Sequence, residues 1–120
     1  MFGKVLLVEN DIDTANIICF ILAEENFDVH HTRTVDLKRC IDSMKPDLII
    51  LDHLLEYGIT GAHLCKQLKS NHDNASPFII LMSATTNLDH IARDCDADAY
   101  INKPFDITDF CNTVKDVLSL

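Results

Sequence analysis

Val5-Leu6-Leu7-Val8, Leu48-Ile49-Ile50-Leu51 and Phe78-Ile79-Ile80-Leu81-Met82 are short, unbroken apolar runs, each followed at once by a polar residue. This pattern constrains the fold more than anything else in the chain. A strand with one wet face alternates apolar and polar residues; a strand covered on both faces does not need to. Two shorter segments, Val29–Thr32 and Ala99–Ile101, complete a set of five expected strands. Between them lie longer stretches with helical spacing. The first is capped by Asp11 or Asp13 and runs to about Asn26. A second spans Val35–Lys45, with Leu37, Ile41 and Met44 on one face and Pro46 closing it. Gly61–Ser70, Leu88–Cys95 and Asp106–Leu118 supply the rest. Strand and helix thus alternate five times. Right-handed crossovers then predict an α/β domain of three layers, (βα)5, doubly wound around a mostly parallel sheet, as a single domain over residues 1–120.

Composition narrows the function classes. The net charge of −9 repels nucleic-acid phosphates, so no direct nucleic-acid binding is expected. The longest apolar run, Ile17–Ala23, falls far short of the roughly 20 residues of a membrane helix. The opening MFGKVLLVEN has neither a basic leader nor a cleavage site, so a cytoplasmic protein without membrane attachment is expected. The five cysteines are odd in number and form no CxxC pair, which predicts buried reduced thiols. His30 and His31, adjacent on a strand, point to opposite faces and do not make a joint metal site.

In such folds the functional crevice lies beyond the carboxyl ends of the strands. There the sequence places Glu9-Asn10-Asp11, Asp52, Ser83-Ala84 and Asn102-Lys103-Pro104. Each has an ordinary explanation alone: a helix start, a turn, a solvated lysine. Gathered at one sheet edge, they describe a site. Crowded carboxylates call for a cation, and oxygen ligands suit Mg²⁺. A carboxylate can attack phosphorus to give an aspartyl phosphate. An ammonium and a hydroxyl, Lys103 and Ser83, would then neutralise the phosphoryl oxygens.

These residues carry a resemblance. KVLLVEND, KPDLIILD, IILMSA and DADAYINKPF together look like the receiver domain of bacterial response regulators, a CheY-like, flavodoxin-like family of two-component signalling. The strand order 2-1-3-4-5 is implied by that resemblance, being known for the chemotaxis regulator, and not by periodicity. The resemblance implies that Asp52 accepts a phosphoryl group from a histidine kinase or phosphotransfer protein, making the chain a phosphoacceptor regulator and not an enzyme in the usual sense. It implies that Glu9, Asn10, Asp52 and the backbone carbonyl of Leu54 hold Mg²⁺. Ser83 and Tyr100 would form the switch, Lys103 would pair with the phosphoryl group, and the bond before Pro104 would be cis.

Two departures stand out. Asn10 replaces a usual aspartate, which predicts weaker Mg²⁺ binding. After Asp52, Glu56 takes the place of a common proline, and Gly61 arrives one residue late, with Gly58 and Gly61 easing the turn and Thr60 capping the next helix. That loop is expected to be mobile and acidic, or else a neutral surface insertion. His53 is expected to be positional rather than a general base.

The family's output face, helix 4, strand 5 and helix 5, here offers Asp89, His90, Asp98, Tyr100, Asn102, Thr108 and Lys115 to an output partner that the sequence does not identify, a homodimer among the options. It lacks the arginine-rich last helix of receivers that drive winged-helix DNA binding. The chain reads either as a single-domain receiver or as one excised from a longer regulator. Three rivals remain. A haloacid-dehalogenase-like phosphatase needs a second aspartate where Leu54 stands; a flavodoxin-like cofactor binder needs a phosphate loop after strand 1; a degenerate receiver would bind partners without phosphorylation.

Overall fold

Strand residues sort by parity into two cores, and this makes the domain three layers deep. The computed structural model describes residues 3–70 and 76–120. Its strands are β1 (Gly3–Val8), β2 (Phe27–Thr32), β3 (Leu48–Asp52), β4 (Phe78–Ser83) and β5 (Ala99–Asn102). Its helices are α1 (Ile12–Glu24), α2 (Leu37–Met44), α3 (Gly61–Ser70), α4 (Leu88–Asp94) and α5 (Ile107–Leu118), with single 3₁₀ turns at Thr34–Asp36 and Glu56–Gly58. The strands form one parallel sheet in the order 2-1-3-4-5.

Val5, Leu7, Leu48, Ile50, Ile80, Met82 and Ile101 face one way, packing on Ala15, Ile18 and Leu22 of α1 and Phe110 and Val114 of α5. Leu6, Val8, Ile49, Leu51, Ile79 and Leu81 face the other, under Leu37 of α2, Cys65 of α3 and Leu88 and Ala92 of α4. Residues 48–52 are buried throughout. Burial on both sides is the physical reason these runs are continuous.

The expected elements all occur, with altered ends. β1 and β2 begin two residues early, and β3, β4 and β5 each run one residue further. Partner strands extend these ends: β1 pairs with β2 from Gly3 and Phe27 onward. The expected helix over Val35–Lys45 starts as a 3₁₀ turn and becomes α-helical only at Leu37. Asp11, not Asp13, caps α1, accepting from the Thr14 N–H. Asp106 caps α5 by accepting from the Asp109 N–H. Thr60 caps α3 through the His63 N–H, as expected.

Cys65, Cys95 and Cys111 are buried, Cys19 and Cys40 half-buried, and none is paired. Among the described residues no helix is long and apolar enough to cross a membrane.

Candidate functional site

Continuing the strand alternation past the carboxyl ends places three chemical groups on one face. Glu9 follows Val5 and Leu7, Asp52 follows Leu48 and Ile50, and Lys103 follows Ile101, all in the α1/α5-facing series. β1 and β3 are adjacent at the point where the strand order reverses, so Glu9 and Asp52 flank the topological switch. Both are nearly inaccessible, at 5% and 7% exposure.

Lys103 Nζ lies 3.1 and 3.0 Å from the two oxygens of Glu9 and 3.6 Å from Asp52 Oδ2. One ammonium thus faces two carboxylates. The Lys103–Pro104 peptide is cis. Glu9 Oε1 also accepts from the Asp11 N–H at 3.2 Å. Burial, and then the Glu9 charge, push the Asp52 carboxyl up to about 6, against the downward pull of Lys103.

The remaining expected site residues are placed less uniformly. Asn10 Nδ2 donates to the Leu54 carbonyl at 3.0 Å. Asp11 is turned to the helix start, with its carboxylate on Thr14. Ser83 ends β4 in the opposite-facing series, after Ile79 and Leu81. Its buried hydroxyl shares a 2.8 Å hydrogen bond with Thr85 Oγ1 and accepts from the Thr85 N–H. Tyr100 sits on β5, 42% exposed. Glu9, Asp52 and Lys103 therefore meet directly, Asn10 and the Leu54 carbonyl meet each other, and Ser83 is tied to Thr85.

Thr85 is a neighbour that the sequence reading did not single out; its signal was a hydroxyl two residues beyond Ser83. His31 was also missed as a contact. Its Nε2 donates to the Glu9 carbonyl at 2.8 Å, while His30 turns to Asp28. His53 Nδ1 accepts from the Ala62 N–H at 3.4 Å, a positional contact that ties β3 to α3.

The loop after Asp52 is braced. Leu54 and Thr60 form an antiparallel bridge, Leu55 N–H donates to Ile59 O, and Gly61 N–H donates to His53 O at 2.8 Å. Tyr57 (φ 60°) and Gly58 (φ 71°) make the reversal. Gly61, expected to ease the turn, does something different. Its φ is not positive, and a Cβ there would lie 2.4 Å from the Asp52 carbonyl oxygen. Glycine at 61 lets the head of α3 touch the end of β3.

Among the described residues no three His, Cys, Asp or Glu side chains converge as a metal-holding group. A cation here would rest on two carboxylates, Glu9 and Asp52, with the Leu54 carbonyl and the Asn10 amide oxygen. These are hard oxygen donors carrying a net negative charge beside Lys103, a set that fits Mg²⁺.

The raised Asp52 pKa has a consequence for stability. The native carboxyl takes up a proton near pH 6, whereas in the unfolded chain it does so near its ordinary 3.8. Its favourable contribution is therefore complete below about pH 3.8 and is lost as pH rises through about 6. Asp52→Asn is expected to stabilise the metal-free domain by about 1–2 kcal/mol at pH 7 and to give no gain at pH 3.5. Urea unfolding at the two pH values in EDTA measures this.

An open parallel sheet with a carboxylate pair at its switch point, and a lysine reaching that pair from the end of β5, defines a doubly wound α/β domain with a charged crevice at the carboxyl ends of its strands. Residues 5–115 match the family model of the response regulator receiver domain, and the chain belongs to that family. It is 33% identical over 118 residues to the response regulator ArlR of Staphylococcus saprophyticus, covering 96% of this chain and 52% of that protein. It is 34% identical over 107 residues to the regulatory protein VanR of Enterococcus faecium, covering 88% and 45%. The chain thus spans about half the length of these curated relatives. Among solved structures, the signal receiver domain of a signal transduction histidine kinase from Syntrophus aciditrophicus superposes with a TM-score of 0.87 at 30% identity, over 98% of this chain and 90% of that one. The BeF3-activated N-terminal receiver domain of Klebsiella pneumoniae RstA gives 0.85 at 26% identity, over 98% and 99%.

Proposed function

We propose that Asp52 is the phosphoacceptor of a two-component phosphorelay, taking its phosphoryl group from the phosphohistidine of a histidine kinase or phosphotransfer protein. The observation that carries the reading is the position of Asp52: a nearly buried carboxylate at the end of the central strand, 3.6 Å from the Lys103 ammonium and adjacent to Glu9.

The transfer is a displacement at phosphorus. An Asp52 carboxylate oxygen attacks, the P–N bond of the phosphohistidine breaks, and the imidazole leaves with its electron pair and takes up a proton. The product is an acyl phosphate on Asp52. At neutral pH most Asp52 is ionised, since its pKa lies near 6, so the nucleophile is available. Lys103 sits where a phosphoryl oxygen on Asp52 would arrive, and its ammonium neutralises the added charge. Mg²⁺, held by Glu9, Asp52, the Leu54 carbonyl and the Asn10 amide oxygen, would supply further charge neutralisation for phosphoryl transfer. Ser83 would leave Thr85 to bond the phosphoryl group, and the Tyr100 rotamer would follow, changing the face of α4, β5 and α5 for an output partner. On that face Asp98 is already committed, accepting from the Ile79 N–H and from Lys69. It holds the fold and leaves Asp89, His90, Tyr100, Asn102, Thr108 and Lys115 to the partner. The net negative charge argues against direct nucleic-acid contact by this chain.

Incubation with acetyl phosphate and Mg²⁺, followed by intact mass measurement, tests the reading. One phosphoryl adduct is expected on the wild type and none on Asp52→Asn. An absent adduct at every Mg²⁺ concentration would favour a receiver that binds partners without phosphorylation. Steady turnover of varied phosphomonoesters would favour a phosphatase.

A further inference from the structure

Asn10 does something in the crevice that an aspartate cannot do. Its amide offers one donor end and one acceptor end. The donor end is spent on the Leu54 carbonyl at 3.0 Å, one of the four oxygens assigned above to the cation. Turning the amide over would set its oxygen against the Leu54 oxygen, which is favourable only with a cation between them. The carbonyl is not free to swing away instead. Its own peptide is held at the other end, where the Leu55 N–H donates to Ile59 O, part of the antiparallel bridge between Leu54 and Thr60. The acidic half of the crevice is satisfied in parallel, because Lys103 contacts both Glu9 oxygens.

Building on the reading of this crevice as a phosphoacceptor site, we propose that Asn10 is a latch on the cation site: its side-chain N–H occupies the Leu54 carbonyl, and Mg²⁺ enters only when that bond breaks and the amide turns over. The side chain is therefore a positioning residue that sets the Mg²⁺ concentration at which the crevice becomes competent. It is a different claim from the loss of one ligand charge. Lost charge weakens the bound state, whereas the latch stabilises the empty one, and the two predict opposite results for a residue with neither donor nor acceptor.

Mg²⁺ affinity of the whole chain, measured by calorimetry on the wild type, Asn10→Ala and Asn10→Asp, separates them. A latch predicts that Asn10→Ala binds Mg²⁺ about threefold to tenfold tighter than wild type, the size of one net hydrogen bond removed from the empty state, with a water taking the lost ligand's place. Asn10→Asp binds tighter still, because it adds a charge as well. In ¹H–¹⁵N spectra the Asn10 side-chain NH₂ signals are expected to be shifted in the free protein and to move as Mg²⁺ is added. Equal or weaker binding by Asn10→Ala overturns the latch while leaving the phosphoacceptor reading intact. No Mg²⁺ binding by any of the three overturns the latch and the metal assignment together; the adduct on Asp52 is then judged separately by mass.

Discussion

Lys103→Met is expected to slow phosphoryl uptake from acetyl phosphate by about 10²–10³. Methionine keeps much of the lysine's length and removes the ammonium. Glu9 and Asp52 are then left as two nearly buried carboxylates without the cation that lies 3.0 Å from one and 3.6 Å from the other. Two effects add. The charge that would meet the incoming phosphoryl oxygens is gone. Asp52 also loses the group that pulls its pKa down, so burial and Glu9 push the carboxyl higher and less of it is ionised at neutral pH. The second effect has its own signature: the rate should rise with pH over a higher range than in the wild type. Adduct formation followed by mass over time, at several pH values, measures both. A rate within threefold of wild type would remove Lys103 from the site.

Gly61→Ala is expected to cost about 3 kcal/mol of stability. The added Cβ would stand 2.4 Å from the Asp52 carbonyl oxygen and 3.0 Å from both the Asp52 carbonyl carbon and His53 Cα. All three are backbone atoms, so no side chain can rotate out of the way. The Gly61 N–H bond to His53 O holds the two segments in that contact. Relief requires α3 to lift from β3, or the end of β3 to move, and the second route carries Asp52 with it. Gly58→Ala is the informative comparison, since that position has open space around it and asks only for a positive φ. Its cost should be near 1 kcal/mol. Urea unfolding with an unchanged m-value checks both. A loss below 1 kcal/mol for Gly61→Ala would contradict the close approach.

The sequence showed which residues form strands because burial on both faces leaves no polar gaps in Leu48–Leu51 or Val5–Val8. It did not show where strands stop. Gly3 and Asn102 join the sheet through pairing with Phe27 and Ser83, a property of neighbours rather than of local composition. Strand order came from family resemblance, because five similar apolar runs carry no label for who pairs with whom. The meeting of Glu9, Asp52 and Lys103 was legible, since strand ends in a parallel sheet share an edge. The finer contacts were not. Asn10 reaches a carbonyl 44 residues away, and Ser83 chooses Thr85 over the crevice. Such choices depend on loop geometry after each strand, where one residue redirects a side chain. Gly61 shows the same limit: the sequence suggested conformational freedom, and the structure uses the missing Cβ.

If the chain carries its signal as an acyl phosphate on Asp52, that one side chain acquires a reactivity that no other carboxylate in the domain has. Acyl phosphates are reduced by borohydride while ordinary carboxylates are not, so the modified aspartate can be converted in place to homoserine and found by peptide mass. After incubation with acetyl phosphate and Mg²⁺, reduction is predicted to place homoserine at position 52 and nowhere else, and to leave Asp52→Asn unconverted. Conversion at another carboxylate, or none in a wild-type sample that carries a phosphoryl adduct, would contradict the account.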